Sequence, residues 1–155
     1  MDSPEEIAER ILASNIYMTL ATADGSGVPW ASPVYYAPSA DRTELYWVSR
    51  PVTRHSRNLQ DRPELAIVIF DSTAAIYTGQ AVYNAATGGI VSDDDLERGM
   101  KVFAERSRED GEEWTIAAVQ EPAELRLYRA VVRDRWILDP DPDAGDHRVP
   151  VRLAG

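Results

Sequence analysis

The chain has 155 residues, no cysteine, and 26 acidic against 16 basic side chains, a formal net charge of −10. That balance argues against a nucleic-acid partner, whose phosphates require a basic face, and the missing cysteine removes disulfides, thiolate nucleophiles and cysteine metal sites. With 44% hydrophobic and 27% charged residues it reads as one globular domain, without the ~20-residue apolar run of a membrane span and with an acidic start, MDSPEEIAER, unlike a signal peptide, so the expected location is the cytoplasm.

The first element is a helix over 3–13. Ser3 suits the N-cap, Pro4 the first helical position, and Glu6 completes a capping box. Ile7, Ile11 and Leu12 form its apolar edge. Ile16 to Thr22 reads as a strand, Asp24-Gly25 as a hairpin turn, and Val28 to Ala37 as a second strand. Pro29 and Pro33 cannot donate to a ladder, which places that strand at an edge or a bulge. Leu45 to Ser49 is a third strand, antiparallel to the second.

Between Ser49 and the apolar run Leu65–Phe70 lies a polar turn, Thr53-Arg54-His55-Ser56-Arg57-Asn58-Leu59. Hydroxyls, guanidiniums and an imidazole suit a phosphate, although a solvated basic turn has the same composition. The unbroken run after it predicts a strand buried on both faces. A fifth strand is expected over 74–85, with Gly79 inside it, and Thr87-Gly88-Gly89 as a flexible connection. Ser92 then caps a helix with Asp93, Asp94 and Asp95 in its first turn and Leu96, Met100 and Phe103 on its buried side. A short helix over 112–119 follows. Strand returns from Ala123 to Leu138 with one shift in register, and Val149 to Leu153 is a last strand-like fragment. Early hairpins and late helices predict a small antiparallel barrel flanked by helices.

No strand–GxGxxG–helix unit, P-loop, GxSxG or HExxH occurs, and no spacing supports a Ser-His-Asp triad. Two histidines argue against a multi-histidine metal site, and no metal ligands are assigned. Trp30, Trp47, Trp114 and Trp136 fit a core or a dimer interface, with Trp136 also a candidate ring neighbour. Asn58 fits a turn cap.

The order of a strand ending in Ser49, then Thr53-Arg54-His55, Asn58-Leu59, Asp61-Arg62-Pro63 and a buried strand resembles the pyridoxamine 5'-phosphate oxidase-like, FMN-binding split-barrel family, over about Ile7 to Asp139. The resemblance implies a mainly β fold, a six-stranded antiparallel split barrel in a single domain over 1–155. The N-terminal helix would span 3–13, the barrel about 16–85 and 123–139, and a helical insertion 92–119. It implies FMN as cofactor, an oxidoreductase activity on a small molecule, and a homodimer with the cofactor between subunits. Matched to the family pattern, Thr53 and Arg54 stand in the phosphate cluster and His55 where a lysine is usual. Val48 and Ser49 stand at the strand end against the ribityl chain and ring. Ser32, Pro33 and Val34 stand on the segment whose backbone faces the ring edge, and Gln80 near the ring. No catalytic side chain is indicated, because the redox chemistry would belong to the flavin.

The vitamin B6 oxidase reaction itself would call for a basic C-terminal signature; here the tail offers Arg133-Asp134-Arg135-Trp136 and His147-Arg148, so another substrate is expected. A deazaflavin coenzyme is the alternative within the family, with Arg50 and Arg57 available for its longer acidic tail. A non-catalytic flavin or heme carrier or sensor is the alternative of another class. Heme would require His55, His147, a Met or a Tyr as axial ligand.

Overall fold

The computed structural model describes residues 1–154. Helix α1 (Pro4–Ser14) starts as its capping box dictates: the Ser3 side chain accepts from the Glu6 amide, and the Glu6 carboxylate accepts from the Ser3 amide. Strands β1 (Tyr17–Ala23) and β2 (Pro29–Tyr35) form the expected hairpin, and the Asp24 carboxylate accepts from the Ser26 and Val28 amides in its turn. After Tyr36 the chain forms a two-residue strand, β3 (Ala37–Pro38), and then β4 (Glu44–Ser49). The rest of the sheet is β5 (Glu64–Phe70), β6 (Ala81–Ile90), β7 (Arg126–Leu138) and β8 (Arg148–Val151).

The strand order is β2-β1-β5-β6-β7-β4-β3, with β8 paired to β7. The two ends of this order, β2 and β3, are separated in the chain by Tyr36 alone. The sheet is thus curled until its edges become one continuous stretch of backbone. Tyr36 is 0% exposed and donates its hydroxyl proton to the Leu12 carbonyl, which ties this junction to the end of α1.

Two apolar cores result. One fills the barrel, where Leu20, Leu45, Trp47, Ile67 and Ile137 meet Ile11 and Leu12 of α1. Trp47 stacks on Tyr128 with centroids 5.5 Å apart. The other lies outside the barrel wall, where Leu96, Met100 and Phe103 of α3 (Asp93–Glu109) cover Tyr46 and Leu127. Gly99 permits this contact, since a Cβ there would stand 2.8 Å from Tyr46 Cε1 and 2.9 Å from Leu127 Cδ2.

The structure corrects several expectations. The segment after Ser49 is not a turn but an α-helix, α2 (Arg54–Asp61), capped by Thr53. β4 pairs with β3 and β7 rather than with β2. It is β4, with Leu45, Tyr46 and Trp47 all buried, that has a core on each face, whereas β5 alternates. The expected fifth strand begins only at Ala81, so Gly79 and Gln80 lie in the preceding turn, and Gly88 and Gly89 lie inside β6. Gly88 sits tightly there, since Leu65 Cδ2 and the Arg129 carbonyl would be 3.1 and 3.3 Å from a Cβ. The register shift in β7 is present: Ala85 faces Asp134 and Ala86 faces Val132, leaving Arg133 as the extra residue of a bulge. The helix over 112–119 shrinks to a 3₁₀ turn, Ile116–Val119. Eight strands replace six, in the same mainly β, antiparallel split-barrel class with flanking helices.

Among the described residues no helix is long and apolar enough to cross a membrane.

Candidate functional site: a cleft between the barrel and the third helix

A cavity of about 570 Å³ opens between the barrel and α3. The barrel contributes Pro33, Val34 and Tyr35 from β2 and Val48 and Ser49 from the end of β4. His55 enters from the first turn of α2, and Phe103, Ser107, Asp110, Glu112 and Trp114 form the opposite wall.

The basic end is built by α2. Thr53 is extended (φ −65°, ψ 155°) as N-caps are, and its hydroxyl accepts from the Ser56 amide at 3.3 Å. That cap turns His55 inward, where it is 7% exposed. Its Nε2 lies 2.8 Å from the Ser49 hydroxyl and 3.3 Å from the Thr53 hydroxyl. The helix is fixed to the barrel by Asn58, whose amide donates to the Thr22 hydroxyl at 3.0 Å; both are buried. Asn58 is therefore a bolt between α2 and β1, and not a turn cap.

Burial pushes the His55 imidazole below its ordinary value of 6.5. The folded protein then takes up this proton less readily than the unfolded chain. The stability that follows is complete above pH 6.5 and is lost as pH falls through the folded-state value. Thermal unfolding should accordingly show a steeper loss of Tm from pH 7 towards 5 in the native protein than in His55→Gln, and parallel profiles would refute it.

Of the nine expected site residues, Pro33, Val34, Val48, Ser49 and His55 line the cavity. Thr53 touches it through His55. Ser32, paired with Leu20 in the hairpin, is not part of the lining. Arg54 is exposed, with its guanidinium carbon 4.3 Å from the centroid of Trp30, outside the cavity wall. Gln80 lies in the turn before β6, and its Oε1 is buried without a partner. Trp136 is also away from the cavity: it pairs with Tyr83 and Pro150 on the outer face of the barrel.

Sequence reasoning missed the opposite wall, although its helical part carries a signal. Phe103, Ser107 and Asp110 are spaced i, i+4, i+7, which places them on one face. Tyr35 joins them: its hydroxyl donates to Asp110 Oδ2 at 2.6 Å, and burial together with that carboxylate pushes the phenol well above its ordinary range.

The family model for pyridoxamine 5'-phosphate oxidase matches residues 3–134, and the chain belongs to that family. No curated protein gives a significant match. Among solved structures, the chain is similar to the heme storage protein HutZ from Vibrio cholerae, at 21% identity and a TM-score of 0.68, over 85% of this chain and 92% of that one. It is also similar to a heme-binding protein from Mycobacterium smegmatis, at 19% identity and a TM-score of 0.71, over 97% of this chain and 58% of that one. A FAD-binding protein from Mesorhizobium loti matches at 17% identity and a TM-score of 0.63, over 83% of this chain and 89% of that one. At these identities the likeness establishes the split-barrel fold.

Proposed function

We propose that the protein binds FMN in this cleft and acts as a flavin-dependent oxidoreductase on a small molecule. The observation that carries this reading is the buried Ser49–His55 contact at the start of α2, opening into a cavity whose barrel side also includes Pro33, Val34 and Val48. The residues present fit the group. The Ser49 and Thr53 hydroxyls and the His55 ring provide hydrogen-bonding groups for a phosphoribityl chain, and Arg54 stands beside them in no ion pair among the described residues. A bound phosphate dianion would favour the imidazolium form of His55 against the effect of burial. Val34 and Val48 offer apolar surface to a ring. Bound flavin would supply the electron-transfer chemistry, while the chain's own residues hold, orient and partly desolvate it.

The proposal includes a homodimer. Support comes from the outer face of the barrel, where Ala21, Ala66, Val68, Tyr83 and Trp136 line a shallow apolar depression, beside Phe70, which is 50% exposed. A face of this kind suits a second copy of the chain.

Heme binding is the second reading, favoured by the names of two of the similar structures. Here His55, the one histidine of the cavity, has its Nε2 against Ser49 and Thr53, and His147 lies on the surface with Nδ1 3.0 Å from Asp139. Ligation of iron by His55 would break the Ser49 contact.

Absorption spectra during titration with FMN, riboflavin, a deazaflavin coenzyme and heme separate these readings. Saturable FMN binding at least tenfold tighter than riboflavin is expected. A Soret band with heme and no flavin binding would replace the flavin reading with the carrier reading.

A further inference from the structure

The two walls of the cleft are chemically opposite, and the wall supplied by the helical insertion has no place in the FMN reading above. Its rings, Phe103 and Trp114, continue a chain of edge-to-face contacts that starts on the barrel: Tyr17 to Tyr35 at 6.4 Å, Tyr35 to Phe103 at 5.7 Å, and Phe103 to Trp114 at 5.6 Å between centroids. All four residues line the cavity. Tyr17, Tyr35 and Trp114 present ring surface, with Phe103, 2% exposed, packed behind them, and such a surface suits a flat, apolar or π-bonded ligand.

The charged groups on that wall have one sign. The Tyr35 hydroxyl donates its proton to Asp110. The Ser107 hydroxyl, on a residue 1% exposed, donates its proton to the Ala104 carbonyl at 3.2 Å. Each hydroxyl is left as an acceptor. Asp110 and Glu112 add two carboxylates, and neither is in an ion pair among the described residues. No Arg or Lys lines the cavity. The nearest cation, Arg106, stands beside the Tyr35 hydroxyl but outside the lining, and it is held by the end of α1, where it donates to the carbonyls of Leu12, Ala13 and Asn15. The wall therefore offers aromatic faces, two carboxylates and the acceptor hydroxyls of Tyr35 and Ser107, with the Tyr17 hydroxyl and the Trp114 indole N–H as neutral donors.

From this accounting we infer that the insertion wall is a substrate subsite for a planar aromatic cation or aromatic amine, which meets Asp110 and Glu112 with its N–H groups or positive charge. Ring faces attract such a cation as well, while an aromatic carboxylate or phosphate meets two like charges and no Arg or Lys among the lining residues. The inference rests on reading this cavity as the ligand cleft. It adds that the two ends select opposite charges, an anion at α2 and a cation at the insertion.

The test uses 1-methylquinolinium, neutral 2-methylquinoline and quinoline-2-carboxylate, titrated calorimetrically into the purified protein with and without saturating FMN. The cation is expected to bind at least tenfold tighter than the carboxylate. Asp110→Asn combined with Glu112→Gln should cut that advantage below threefold, with retention of the native fold checked by circular dichroism. Tyr35→Phe, which frees Asp110 from its hydroxyl partner, should retain the preference. Equal affinities, a preference that survives the double variant and so reflects only the net charge of the molecule, or no binding of any probe would each overturn the inference. FMN binding is read separately, so failure of the flavin reading is seen as loss of that signal alone.

Discussion

Gly99→Val should destabilise the protein by about 2–3 kcal/mol, the range of an overpacked core site. The position is helical, so valine also removes some backbone entropy from the unfolded state and improves helix propensity by a few tenths of a kcal/mol. Packing outweighs both. The added Cβ would meet Tyr46 at 2.8 Å and Leu127 at 2.9 Å, and these residues are 0% and 1% exposed. Tyr46 is further fixed by its hydroxyl on Glu44, a carboxylate that also receives Arg98 and Arg129. The ring cannot turn aside without breaking that network. The midpoint of urea unfolding measures the cost, and a shift equivalent to less than about 1 kcal/mol would mean that α3 can move outward freely. The same substitution should weaken ligand binding in the cleft, because Phe103 and Ser107 ride on the displaced helix.

Arg54→Ala should lower FMN affinity by about 2–3 kcal/mol, or roughly 30- to 140-fold, as expected for loss of a charge-assisted phosphate contact. Riboflavin, which has no phosphate, should bind the two proteins equally. The guanidinium rests on Trp30 at 4.3 Å, an exposed arrangement whose loss costs at most about 1 kcal/mol of stability. Folding should therefore survive, and Arg54→Lys should recover part of the affinity but not the fork geometry. An unchanged FMN dissociation constant would show that the phosphate site lies elsewhere.

Local chemistry was legible where it is self-contained. Ser3, Pro4 and Glu6 define a helix start by themselves, Asp24-Gly25 defines a hairpin, and Pro29 and Pro33 announce an edge strand. The heptad from Thr53 to Leu59 reads as a loop in the sequence because it has one apolar residue and thus no helical apolar period. It is helical because Thr53 caps it and because His55, Ser56 and Asn58 are buried as polar groups with partners. Ile76 and Tyr77 look like strand residues but are 83% and 100% exposed, and Tyr77 has φ +68°, so the strand begins after them. On the barrel side of the cleft, the pattern around Ser49 and His55 located the wall. The insertion side joins Tyr35 to Asp110 across 75 positions of sequence, and nothing local in either segment announces that pairing.

The closing of the sheet at Tyr36 bears on how other chains can attach. Recruitment by strand addition needs a row of unpaired amides along an edge. Here one terminal strand carries Pro29 and Pro33, and the other, Ala37–Pro38, is two residues long and again contains a proline. The short strand Arg148–Val151 likewise carries Pro150. Templates for cross-strand growth are thus blunted by imino acids, and the barrel resists edge-to-edge polymerisation.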